Sequence, residues 1–72
     1  MIKANIEIIF EIFESVDGGY EAKAIGHSIF TQFDNHDELE NVLREAVECH
    51  FDNDNMPQII RAHFVKDILF AI

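Results

Sequence analysis

The segment from Asn5 to Ser15 reads NIEIIFEIFES and runs through Val16 into Asp17-Gly18-Gly19. As a helix it would line up Ile6, Ile9, Phe10 and Phe13 against Glu7, Glu11 and Glu14. As a strand it puts Ile6, Ile8, Phe10 and Ile12 on one face and Glu7, Ile9, Glu11 and Phe13 on the other. The density of β-branched and aromatic residues, and the hairpin turn residues just downstream, decide for a strand. Parity then constrains the turn, because directly opposed residues of an antiparallel pair share a face. A two-residue loop at Asp17-Gly18 would oppose Ile12 to Lys23. A three-residue loop, Asp17-Gly18-Gly19, opposes Val16 to Tyr20 and Ile12 to Ala24, and supplies glycine for the left-handed position. The small Ala22 and Ala24 on that face leave room for a helix to lie close.

Gly26-His27 interrupts the second strand, and Ser28–Gln32 reads as a short third one. Asn35 is a helix N-cap with Glu38 three residues on, the spacing of a capping box. Leu39, Val42, Leu43, Ala46 and Val47 then recur at helical spacing to about residue 50, with Glu40, Asn41, Arg44, Glu45 and Glu48 on the wet side. Asp52–Asn55 and Pro57 form a loop. A last strand follows, with Ile60, Ala62 and Phe64 on one face and Arg61, His63 and Val65 on the other. The reading is α+β: β-β-β-α-β over a single domain, residues 1–72, an antiparallel sheet with one helix on one face.

At 72 residues, a domain buries only about 60% of the surface its unfolded chain exposes. Yet 49% of this chain is hydrophobic, and seven residues are Phe. One helix cannot cover both sheet faces and the terminal Ile68-Leu69-Phe70-Ala71-Ile72. Contiguous apolar surface of that kind marks an interaction site, and small domains commonly oligomerise. The net charge of −9 argues against nucleic acid and anionic membranes as partners and suits a basic protein. The expected location is cytoplasmic, since nothing reads as a signal peptide and the first apolar run is too short to span a bilayer.

Candidate chemistry is sparse. Glu7 and Glu11 share a strand face, while Asp34 and Asp37 flank a helix start, where acids are favoured anyway. Asp52-x-Asp54 lacks the glycine and terminal glutamate of a calcium loop. His27, His36, His50 and His63 show no metal-ligand spacing, and Ser15 and Ser28 lack a nucleophile elbow. Cys49, the single cysteine, falls near the helical stripe and reads as a packed thiol. These readings favour a non-enzyme without metal or cofactor.

Asp17-Gly18-Gly19-Tyr20, Thr31-Gln32, Leu43-Arg44-Glu45-Ala46-Val47 and Ile60-Arg61-Ala62-His63-Phe64-Val65, in that order, resemble the HicB-like antitoxin family, including its small stand-alone members. The resemblance covers roughly residues 6 to 69. It implies a degraded ribonuclease H-like fold without catalytic acids, assembly into dimers or higher oligomers, and a small basic RNA-cleaving partner of the HicA type. Two departures stand out. The helix-turn-helix or ribbon-helix-helix domain that often follows in this family is absent after Ile72, so direct operator binding is not expected. Phe33 stands where the family commonly has glycine before the helix cap, so the local turn must differ.

The leading expectation is an antitoxin-type interaction module that binds a basic partner, or itself, through Glu7, Glu11, Arg61, His63, Leu69 and Phe70. The alternative is an oligomeric structural or small-ligand-binding module without a toxin partner. A metal-dependent nuclease using Glu11 or Asp34 ranks third.

Overall fold

A computed structural model of the chain describes residues 7–72; Ile6, assigned above to the first strand, lies outside them. The elements are β1 (Glu7–Glu14), β2 (Tyr20–Ala24), β3 (Phe30–Phe33), a 3-10 turn (His36–Glu38), α1 (Leu39–His50), a second 3-10 turn (Asn53–Asn55) and β4 (Ile59–Phe64). This is the expected α+β order. The sheet runs β3-β2-β1-β4.

Strand alternation places Ile8, Phe10 and Ile12 in the core with Ala22 and Ala24 opposite them on β2. Phe10 opposes Ala24 and Ile12 opposes Ala22, so each large side chain faces a small one. Leu43 and Val47 of α1 pack onto this face, with Leu39, Val42 and Ala46 at its margin. The wet side of the helix, Glu40, Asn41, Arg44, Glu45 and Glu48, is exposed.

The hairpin turn lies one residue earlier than expected. Ser15 N–H donates to the Gly19 carbonyl (3.0 Å) and Gly18 N–H to the Ser15 carbonyl (3.1 Å), closing a three-residue loop over Val16-Asp17-Gly18. Val16 is therefore fully solvated rather than paired with Tyr20. The register change is two in summed residue number, which preserves parity, so every strand residue keeps its expected face. The cause lies on the next strand: Gly19, at φ +72°, passes so close to β3 that a Cβ would sit 3.0 Å from the Phe33 carbonyl oxygen.

The third strand begins two residues later than expected. Ile29 precedes it, buried, and its carbonyl accepts from Ala24 N–H. Phe33 ends β3 in extended backbone; among the described residues only glycines have positive φ. Phe33 is buried and stacked on Tyr20 at 5.2 Å. The reversal into the helix is held instead by Glu38, whose carboxylate accepts from the backbone N–H of both Asp34 (2.9 Å) and Asn35 (3.2 Å). This is the reciprocal half of a capping box.

One strand corrects the antiparallel expectation. β4 pairs with β1 in parallel, Ile8 beside Ile60 and Ile12 beside Phe64. The sequence between β3 and β4 forms a helix about 18 Å long, at 1.5 Å per residue. It carries the chain back along the sheet, so β4 must start from the end at which β3 started. β3 is antiparallel to β2 and β2 to β1, so β4 shares the direction of β1.

Candidate interaction surface

The side of the sheet away from α1 carries no covering element among the described residues. Strand registers arrange it in rows. Phe30, Lys23, Glu11 and His63 form one, and Gln32, Glu21 and Phe13 form the next. Ile25 N–H donates to the Ile9 carbonyl (2.9 Å), placing Ile25, Ile9 and Arg61 in a third. Ile25, Phe30 and Ile59 are 51%, 58% and 53% exposed, whereas Ile9 and Phe13 are half-buried by their neighbours.

The polar groups of this face alternate in sign. Arg61 Nε is ion-paired with Glu7, two residues along β1 from its backbone partner Ile9 and so its diagonal neighbour on the same face. Glu11 lies between Lys23 and His63. The face is thus close to electroneutral, although the chain carries −9. Acidic surplus collects elsewhere, on Glu40, Glu45 and Glu48 of α1 and on the turns bearing Asp34, Asp37, Asp52 and Asp54.

Of the six expected contact residues, Glu7, Glu11, Arg61 and His63 come together on this face. Leu69 and Phe70 do not: they lie past the end of β4 on a segment without secondary structure. Val65 N–H still donates to the Ile12 carbonyl (2.9 Å), and the chain then leaves the sheet with Ile68, Leu69, Phe70 and Ile72 between 75% and 123% exposed. The point of departure is clamped by rings the sequence reading did not connect. His36 stacks on Phe64 at 5.5 Å, and Tyr20 meets Phe64 edge-on at 6.2 Å. These residues come from three separate elements, and nothing local in the sequence announces their meeting.

On the helix side, α1 lies nearer β3 than β4. A groove of about 410 Å³ therefore opens between α1 and β4, floored by Leu39, Leu43, Ile60 and Ala62 and rimmed by Glu40, Arg44 and Gln58. Cys49, expected to pack, is exposed; it sits off the Leu43–Val47 line, near the helix end. Glu11 and Asp34 occupy different places, the open face of β1 and the bend after β3. Among the described residues, no three His, Cys, Asp or Glu side chains converge as metal ligands, and no helix is long and apolar enough to cross a membrane.

No family model and no solved structure matches the chain. Two relatives do. A UPF0150 protein of Thermotoga maritima is 47% identical over 66 residues, covering 92% of this chain and 93% of its own length. A UPF0150 protein of Archaeoglobus fulgidus is 43% identical over 55 residues, covering 76% of this chain and 83% of its own. With this identity carried along nearly the whole chain, the protein belongs to the UPF0150 family.

Proposed function

We propose that this protein is a HicB-like antitoxin-type interaction module that binds and neutralises a small basic RNA-cleaving toxin of the HicA type. The observation that carries the reading is an uncovered, partly apolar sheet face and terminal segment on a chain of net charge −9. Acid-rich flanks attract a basic partner over long range, while a near-neutral apolar face lets it dock without stranding buried charge. The sequence resemblance to HicB-like antitoxins supports the same assignment. In this role the chain works by covering another protein's surface and needs no catalytic group or cofactor of its own.

The test is to look in the neighbouring reading frames for a small basic protein, to co-express it with this one, and to assay both RNA cleavage and complex formation; neighbouring frames without such a protein count against the reading. A stable complex with suppressed cleavage supports the reading. Separate elution of the two proteins, with cleavage unchanged, refutes it and leaves the oligomeric structural or ligand-binding module.

A further inference from the structure

Two histidines far apart in the sequence meet beside Phe51. His27 occupies the turn between β2 and β3, and His50 is the last residue of α1. Their ring centroids are 6.1 Å apart, and Phe51 lies 5.1 Å from the first and 4.9 Å from the second. Their spacing along the chain carries no metal-ligand signature; only the fold brings them together.

The backbone under both is pinned. Ala24 N–H donates to the Ile29 carbonyl (3.0 Å) across the base of the turn that holds His27, and Gly26, at φ +83°, tightens that turn. Phe51 N–H donates to the Val47 carbonyl (3.0 Å), closing the last turn of α1 around His50. The rings meet edge to face at 77°. His50 is exposed and His27 half-buried, so the His50 ring has room to turn.

A metal ion about 2.0–2.1 Å from a ring nitrogen lies about 3.2 Å from that ring's centroid, so two imidazoles sharing an ion at the tetrahedral angle have centroids about 5.2 Å apart. The observed 6.1 Å exceeds this by about 0.9 Å, within the reach of a side-chain torsion. The electrostatics favour a cation. The carbonyls at the C-terminal end of α1 present partial negative charge, and the exposed acids Glu48 and Asp52 stand two residues to either side of His50. Neither residues 24–43 nor 45–60 contain a Lys or Arg.

We propose that His27 and His50 form a clip for a divalent transition-metal ion of the Zn²⁺, Ni²⁺ or Cu²⁺ class, with water completing the coordination. Imidazole nitrogen suits these ions, whereas Mg²⁺ and Ca²⁺ take oxygen ligands. Among the described residues no third His, Cys, Asp or Glu converges on the pair. The site is therefore open to solvent, and its occupancy follows the free ion concentration. A bound ion ties the end of α1 to the β2–β3 turn and stabilises the fold by mass action. Such a clip goes beyond the proposed function and is independent of it.

The experiment uses the full-length, untagged protein and its Cys49→Ser variant, because the exposed Cys49 precedes His50 and thiolate is itself a metal ligand. Calorimetric titration with zinc or nickel chloride gives one ion per chain in both. His27→Gln and His50→Gln each weaken binding by about tenfold or more, at least the loss that follows removal of a group merely supporting a ligand. His50 is exposed, so His50→Gln keeps the native circular dichroism. His36→Gln and His63→Gln leave binding unchanged. At ten times the dissociation constant the ion raises the folding constant about elevenfold, a gain of about 6 °C or more in melting temperature that the His50→Gln variant loses. In the unaltered protein, substoichiometric Cu²⁺ broadens the imidazole NMR signals of His27 and His50 before those of His36 and His63. Absence of zinc and nickel binding at high micromolar concentration overturns the proposal. So does binding that disappears in Cys49→Ser, that survives His50→Gln, or that takes one ion per two chains.

Discussion

Replacing Gly19 by alanine tests whether backbone contact between strands, rather than the turn alone, fixes the hairpin. Gly19 sits at φ +72° and Gly26 at φ +83°, both in the left-handed half of the backbone map. Torsion alone makes Gly26→Ala the worse substitution, since +83° lies further outside the left-handed well; either residue costs about 1–2 kcal/mol there. Surroundings reverse that order. An added Cβ at Gly26 meets nothing within 4 Å, while one at Gly19 sits 3.0 Å from the Phe33 carbonyl oxygen and 3.5 Å from Asp34 Cα. Those are backbone atoms with no rotamer to change, so the end of β3 must move. Overpacking of this kind adds about 1–3 kcal/mol. Both variants gain about 0.4–1 kcal/mol from the stiffer unfolded chain, which cancels in the comparison. Gly19→Ala should therefore cost about 1–3 kcal/mol more than Gly26→Ala. For a domain of this size that is a melting-temperature gap of about 4 °C or more. Urea titration and calorimetry on the two variants measure it. Equal losses, or a larger loss at Gly26, would refute the role assigned to the Gly19–Phe33 approach.

Leu43→Ala removes a side chain that is only 2% exposed at the centre of the helix–sheet contact; it should cost about 2–5 kcal/mol in denaturant titration. Glu38→Ala strips the acceptor from the Asp34 and Asn35 amides and should cost about 1 kcal/mol, partly recovered by Glu38→Gln, as read by thermal melts. Cys49 should react fully with a thiol reagent in the native state, and Cys49→Ser should shift stability by no more than about 0.5 kcal/mol. Glu7→Gln breaks an exposed ion pair with Arg61 and should change stability by less than about 1 kcal/mol, an effect that vanishes in high salt.

Period-two and period-3.6 patterns carried most of the fold because each follows from a single element meeting a single core. Ile8, Phe10 and Ile12 on β1, and Leu43 and Val47 on α1, could be assigned from spacing alone. The hairpin register could not. Loops over residues 16–18 and 17–19 share parity, and the choice rests on how closely Gly19 passes β3, a contact between separate strands. The direction of β4 was equally hidden from a local reading, since it follows from the end of the sheet to which the helix returns the chain. Cys49 was misplaced because helical spacing gives an angle and not the extent of the sheet beneath it. On the candidate surface, alternation identified Glu7, Glu11, Arg61 and His63 as sharing a side; the ring cluster of Tyr20, Phe33, His36 and Phe64 depended on tertiary folding.

The carboxylate of Glu38 has an effect beyond its own two hydrogen bonds. A chain that must reverse sharply ordinarily reserves a residue without a side chain for the corner, and that residue leaves nothing to fill the space beneath it. Here an acid three and four positions downstream holds the corner in ordinary backbone geometry. Position 33 is thereby released to hold a phenyl ring, which extends the core to the last residue of an edge strand and gives Tyr20 a surface to lie on.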